Sequence, residues 1–409
     1  MHSLWILLAP AWWVAFEFHW PRVFTWAIAH THTSVTPILQ LAELGGTSIV
    51  SAVLILLATG IGVLLTRASH PSYIRVASIS FAIVACVYGW GLIRIEQVER
   101  AIDRNATIHA GAIQVDPTFV DSVDRMRDLS RSIDSHIDLL LWPESSLGHY
   151  HYELTDFRDP IKVSEMSEAP NPAEDPVKGL SVPLLAGGKT YDEGGRDKGP
   201  YRNTAFLIDP DKSILGRYVK RTLIPFGEYV PGESLLPSLQ YWAALNSSLI
   251  CGTTDEPLVL RKGTRVGTLI CYEDMICSNA RRTVAAGAEC LVVIINGSAF
   301  RDSDTLSQHL RLAQLRAVEN RRAMLRCAAT GITCKISPTG SVEESIPTGV
   351  DGTLVAELPL SRELTVYTQY GDWFAWLCTA LTALTAFRLY RLRRHQSDNG
   401  ESQPSQQGF

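Results

Sequence analysis

The hydrophobic positions along this chain fall into two rhythms. Near both ends they run unbroken. SIVSAVLILLATGIGVLLT (Ser48 to Thr66), VASISFAIVACVYGWGLI (Val76 to Ile93) and DWFAWLCTALTALTAFRLY (Asp372 to Tyr390) are each close to the roughly 20 apolar residues a helix needs to cross a bilayer. A fourth run, LWILLAPAWWVAFEFHW from Leu4, contains Pro10 and Glu17, so it can span, re-enter or lie at the interface. Counted as a span, it gives residues 1–100 about three crossings. It lacks the basic start and small-residue cleavage site of a signal peptide.

Between these ends the rhythm changes. Short apolar or β-branched runs recur: ATIHAGAIQV (Ala106 to Val115), IDLLLWPE (Ile137 to Glu144), VPLLAGG (Val182 to Gly188), NTAFLID (Asn203 to Asp209), VGTLICYE (Val266 to Glu273) and CLVVIING (Cys290 to Gly297). They alternate with the helical patterns Val120 to Ile133 and Thr305 to Ala323. That alternation predicts an α/β domain over 105–368, with its chemistry at the strand ends. Residues Thr155 to Pro176, rich in proline and acids, read as a mobile loop, and SDNGESQPSQQGF at the end reads as a solvated, disordered tail. The remaining parts are a C-terminal span at 372–390 and a cytoplasmic tail at 395–409.

Lys and Arg beside the spans set the orientation. Arg67 and Arg75 between two spans, and RLYRLRR (Arg388 to Arg394) after the last, belong in the cytoplasm. With four spans, both termini lie inside and the middle domain lies on the outer face. Trp12, Trp13, Trp20, Trp26, Trp90, Trp373 and Trp376 suit interfacial belts.

Composition narrows the chemistry. Among 409 residues, 46% are hydrophobic and 19% charged, and the net charge of -5 comes without a basic stripe, which sets nucleic acid aside as a partner. The eight cysteines (Cys86, Cys251, Cys271, Cys277, Cys290, Cys327, Cys334 and Cys378) include no CxxC pair and no zinc-ligand spacing, so they read mostly as small buried hydrophobes.

Cys271 is different, because it ends a strand-like run and is followed at once by Glu273 and Asp274. Acids beside a thiol raise its pKa, and a packing cysteine needs no such neighbours. Two other strand-like runs end on chemistry: Glu144 follows LLLWP, and Lys220 lies in GRYVKRTLIPFGEYVP. A base for the thiol and a cation for a developing oxyanion complete a nucleophilic set. Cys277 reads as packing. His309, at the start of QHLRLAQLRA, offers a rival Cys/His pairing that this set does not need.

The order WPES, YVKRTLIPFGEYVP, ICYED resembles the carbon–nitrogen hydrolase (nitrilase) superfamily, whose Glu-Lys-Cys triad would fall on Glu144, Lys220 and Cys271. KRTLIPFGEYVP, QHLRLAQLRAVENRRAMLRCAATGI and QLAELGG (Gln40 to Gly46) resemble its apolipoprotein N-acyltransferase branch, and the short membrane part is similar to that of TraB-type conjugal-transfer proteins. The resemblance implies a four-layer α-β-β-α sandwich with flanking transmembrane helices, and Glu228 and Glu273 as supporting acids.

It also implies a multi-pass protein of the bacterial inner membrane with its catalytic domain in the periplasm. There it would transfer an acyl group from phospholipid to an amine, such as a lipoprotein N-terminus, through a thioester and without a cofactor. Where that branch reads Asn-Asp-Ala-Trp-Phe, this chain reads Asn296-Gly297-Ser298-Ala299-Phe300. Two other readings therefore stay open, an anchored amidase or nitrilase and a non-catalytic membrane component of a conjugation complex.

Overall fold

The structure is a computed structural model that describes residues 7–67, 70–116, 122–133, 137–147, 151–153, 176–191, 201–233, 235–236, 238–239, 249–300 and 303–400. The chain begins with α1 (Ala9–His19), a 3-10 turn at Ile28–His32, the single turn α2 (Thr36–Leu39) and the long helices α3 (Ala42–Arg67) and α4 (Pro71–Ile102). Among the described residues, two helices are long and apolar enough to cross a membrane, Ala42–Thr66 and Pro71–Ile102. Ile61 and Leu65 on α3, and Ile79, Ile83, Leu92 and Ile93 on α4, point outward, which suits an apolar solvent.

The other two apolar runs are different. At 11 residues, α1 is about 16 Å long, roughly half a bilayer core. Its Ala11 and Val14 pack against Ala52 of α3 and against Ala375 and Cys378 near the C-terminus.

The central domain follows with β1 (Thr107–Gln114), α5 (Ser122–Ser132), β2 (Leu139–Leu141), β3 (His151–Glu153), β4 (Leu184–Tyr191), β5 (Tyr201–Ile208), β6 (Ile214–Val219), β7 (Leu258–Val259) and β8 (Arg265–Ile270). Then come α6 (Cys277–Ala285), β9 (Cys290–Ile295), α7 (Thr305–Asn320), β10 (Met324–Ala328), β11 (Thr333–Ile336), β12 (Val342–Ile346), β13 (Gly352–Pro359), α8 (Val366–Tyr370) and α9 (Trp373–Gly400).

The expected C-terminal span at 372–390 is the first part of α9, which is not one of the two described helices long and apolar enough to cross a membrane. Its apolar run is interrupted by Arg388, and beyond Tyr390 it is basic and polar. The same helix takes in the start of the expected tail: α9 continues through Ser397 to Gly400, and 401–409 lie outside the described residues. No proline or glycine stands between Trp373 and Asn399 to stop it. The loop read at Thr155 to Pro176 lies, apart from Pro176, outside the described residues.

The strands form two sheets. One runs β13-β1-β2-β4-β5-β6 with β3 beside β4, and the other runs β12-β11-β10-β9-β8-β7. Side-chain alternation shows how they stack. In CLVVII of β9, Cys290, Val292 and Ile294 join Leu139, Leu141, Leu185 and Leu207 of the first sheet in one core. The intervening Leu291, Val293 and Ile295 face outward to Ala280 and Val284 of α6 and to Ala313 and Ala317 of α7. Met126 of α5 covers the outer face of the first sheet beside Ile113 and Trp142. The layers are α-β-β-α, the sandwich that the resemblance implied.

α7 is buried on nearly all sides because it serves two cores. Ala313 and Ala317 meet the sheet, while Leu315 and Val318 pack against Ile38, Leu39, Val50 and Val53 of the membrane region.

Candidate active site

Glu144, Lys220 and Cys271 each follow the C-terminal end of a strand, β2 and β6 in one sheet and β8 in the other. Close backbone contacts set the first two. A Cβ at Gly187 would lie 2.7 Å from the Glu144 Cα, so only glycine lets β4 pass this close. Lys220 N–H donates to the Asn203 carbonyl at 2.9 Å, and Gly252 N–H donates to the Lys220 carbonyl at 2.7 Å. Cys271 opens the 3-10 turn Cys271–Met275 with a φ of 50°. A non-glycine residue in this left-handed region carries strain of about 1–3 kcal/mol and persists only where its surroundings hold it.

The three side chains converge. Lys220 is fully buried, with Nζ 2.6 Å from Glu228 Oε1 and 3.8 Å from Glu144 Oε1. Glu144 is clamped on both oxygens: Asn203 Nδ2 donates to Oε1 at 2.7 Å and the Asn296 N–H donates to Oε2 at 2.8 Å. The Cys271 thiol is near enough to Glu144, Lys220 and Glu228 for all three charges to act on it.

The charges around these groups explain their states. Burial pushes the Cys271 thiol up, Glu144 and Glu228 add to this, and Lys220 opposes it without prevailing, so the thiol rests protonated. For Lys220, burial favours the neutral amine, but Glu144, Cys271 and Glu228 outweigh it and hold the ammonium well above the usual lysine range. A protonated thiol beside a clamped carboxylate and a fixed cation can transfer its proton as it attacks, with a positive charge waiting for the oxyanion.

The two supporting acids differ in position. Glu228 touches the Lys220 ammonium and also accepts the Ile224 N–H at 2.9 Å, which fixes the loop between them. Glu273 is fully buried and touches none of the three side chains through its own hydrogen bonds. It accepts from Arg221 N–H at 2.7 Å, Thr222 N–H at 3.1 Å, Ile270 N–H at 2.9 Å and Tyr218 O–H at 2.8 Å. It thus ties the backbone after Lys220 to the backbone before Cys271.

His309 pairs with Asp274, which also accepts from Arg326 Nε at 3.0 Å. That makes His309 part of the support under the turn, with Asp274 and not Cys271 as its partner.

Two contributors had escaped notice in the sequence. Asn203 is one of the polar residues at the ends of the NTAFLID run, with Thr204 and Asp209, and nothing in the run singles it out. Asn296 acts through its main chain, which has no signature in sequence. That also shows what the altered Asn296–Phe300 loop retains: the N–H on Glu144 survives any side chain. Gly297 fits because a Cβ there would come 2.8 Å from Leu306.

The carbon–nitrogen hydrolase family matches residues 109–365. Apolipoprotein N-acyltransferase from Geobacter metallireducens is 30% identical over 393 residues, covering 90% of this chain and 70% of that protein. The Pseudomonas putida protein of the same name is 29% identical over 363 residues, covering 86% and 67%, and the Pseudomonas aeruginosa PAO1 one is 30% identical over 266 residues, with the chain spanning about half (49%) of its length. An amidase from Nesterenkonia sp. superposes with a TM-score of 0.44 at 20% identity, covering 65% of this chain and 94% of that one. By the match over the central domain and the likeness that extends into the membrane helices, the chain belongs to the carbon–nitrogen hydrolase family, as an enzyme similar to its apolipoprotein N-acyltransferases.

Proposed function

We propose that the protein moves an acyl chain from a phospholipid to an amine, with a lipoprotein N-terminus as the acceptor class, through a thioester on Cys271. The observation that carries this reading is the meeting of Glu144, Lys220 and Cys271 in a domain joined to two helices apolar enough to sit in lipid.

In the first half-reaction the sulfur attacks the ester carbonyl carbon while its proton passes to Glu144. Lys220 and a backbone N–H near Cys271 hold the oxyanion. Collapse expels the lysophospholipid alkoxide, which takes the proton back from Glu144 and leaves the thioester. In the second half, a neutral amine attacks the thioester and gives its proton to Glu144. The departing thiolate recovers that proton, and the amide leaves. Glu228 keeps Lys220 in place throughout.

The acyl donor lies in the bilayer, so the site works at the membrane surface. The arginines at Arg75 and Arg388 to Arg394 favour a periplasmic domain on an inner-membrane protein. The likeness to TraB-type proteins enters the same proposal as its setting, with plasmid transfer as the process served.

Intact-mass measurement of the purified protein after incubation with phospholipid tests the reading. One added acyl chain, removed by hydroxylamine and absent in Cys271→Ala, supports it. An unmodified protein that hydrolyses small amides would replace it with an amidase, and an unmodified, inert protein would leave the membrane component.

A further inference from the structure

The turn that carries Cys271 is held at its Met275 end by two donors, one from the segment after α1 and one from α7. Thr25 Oγ1, in the segment after α1, donates to the Met275 carbonyl at 2.7 Å. Arg316 of α7, fully buried, donates to the same carbonyl from Nη1 at 3.0 Å. Its Nη2 reaches Thr47 Oγ1 at 2.8 Å, and Thr47 in turn donates to Glu319 Oε1 from its N–H at 3.0 Å and from its hydroxyl at 2.8 Å.

Thr47 occupies a special place in α3. It follows the break at Gly45 and Gly46, where Gly46 adopts φ 69° and ψ −165° beneath the Tyr367 ring. That break turns main-chain and hydroxyl donors toward the catalytic domain, where an unbroken helix would have used the N–H internally. The remaining residues of the turn are tied as well. The Tyr272 hydroxyl donates to the Val23 carbonyl, Phe24 stands edge-on to the Tyr272 ring at 5.9 Å, Glu273 holds the Lys220 loop, and Asp274 holds Arg326 and His309.

We infer that the membrane region belongs to the catalytic apparatus, with Thr25 and Thr47 as positioning residues: Thr25 directly, and Thr47 through Arg316, hold the Met275 end of the turn so that Cys271 keeps its left-handed backbone and its sulfur stays against Glu144. The turn is five residues long, so a shift at Met275 is felt at Cys271, and proton transfer is sensitive to small displacements. The inference rests on the proposed role of Cys271 as nucleophile.

The test compares full-length protein in detergent with phospholipid, following the rate of Cys271 acylation by mass. Thr47→Val and Thr25→Val should each slow acylation about tenfold at saturating phospholipid, a loss expected from slight misplacement, with the half-saturating lipid concentration unchanged. Thr47→Ser should restore the rate, since it keeps the hydroxyl. Thr59→Val is the control, because the Thr59 hydroxyl only caps the Ile55 carbonyl of the same helix, at 2.7 Å.

Wild-type rates in both valine variants would overturn the inference, as would a loss that Thr47→Ser fails to restore or that appears equally in Thr59→Val. If Thr47→Val does not fold, Thr25→Val decides alone. Failure of the wild-type protein to acylate would instead count against the proposed function, so the two failures are distinguishable.

Discussion

Two clusters of buried charge in this molecule are built from similar parts. One holds Glu144, Lys220 and Glu228 around Cys271; the other holds Arg316 and Glu319 beside Thr47 and Cys277. Each contains a cation, a carboxylate and a thiol whose pKa burial raises. They differ in how the groups are used. Arg316 and Glu319 face each other at 2.7 Å, and Cys277 touches them only through a Thr47 hydroxyl 3.9 Å away. In the Cys271 cluster the carboxylates and the lysine act on the thiol directly through their charges, and its backbone is held in a strained conformation. A buried ion pair alone makes a joint between domains. A buried ion pair whose charges bear on a strained thiol is the arrangement we propose as the reactive centre.

Removing the thiol tests this contrast most sharply. Cys271→Ala should abolish acylation, because no other group in the cluster can form the thioester. Cys271→Ser should be nearly as inactive, since a hydroxyl is a far poorer nucleophile without a strong base. Mass measurement of the acyl-enzyme reads both.

Next in size is the carboxylate. Glu144→Gln keeps the shape, but its single amide oxygen can accept from only one of Asn203 Nδ2 and the Asn296 N–H, and it cannot take a proton, so acylation should fall by about 10²–10⁴-fold. A single-turnover rate near wild type would show that proton transfer does not run through Glu144. Lys220→Arg should not preserve activity: a planar guanidinium cannot occupy the place of a compact ammonium bound 2.6 Å from Glu228. Equal rates for lysine and arginine would make the two clusters alike after all.

The sequence exposed one of these clusters and concealed the other. Glu144 and Cys271 each follow an apolar run, so their position at strand ends could be read directly, whereas Lys220 follows Arg217-Tyr218-Val219 and was singled out from Arg221 by the resemblance, through its spacing to Glu228. Arg316, Glu319 and Thr47 are far apart in sequence, and a helix with Arg and Glu three apart ordinarily reads as a solvated face. Only the packing of α7 between two cores shows them to be buried.

The fold was legible to a similar degree. β1, β4, β5, β8 and β9 match the runs that mark them. β10, MLRCA, was hidden by its central Arg326, which a strand buried on both faces tolerates because Asp274 and the Ile332 carbonyl receive it. β13 alternates Leu354, Ala356 and Leu358 inward with Thr353, Val355 and Glu357 outward, a period-2 pattern that was present but unread. The spans were read from apolar length alone, which cannot separate the two lipid-suited helices from an 11-residue helix that packs on a neighbour.

The smallest expected effect belongs to the second thiol. Cys277→Ala should leave acylation intact and cost on the order of 1 kcal/mol of stability, typical of a single substitution. Its more telling signature is alkaline. Burial, the largest cause, raises the Cys277 pKa from the ordinary 9 to about 12. The folded protein therefore keeps this proton after the unfolded chain has begun to lose it. The resulting stability is fully present below about pH 9 and is lost as the pH rises toward about 12. Cys277→Ala removes that contribution, so the gap between wild type and variant should narrow between about pH 8 and about pH 10.5. Denaturation midpoints at the two pH values measure it. A gap that stays constant would mean Cys277 is not a protonated thiol inside the joint. A loss of acylation in the same variant would show that the joint, too, does chemistry.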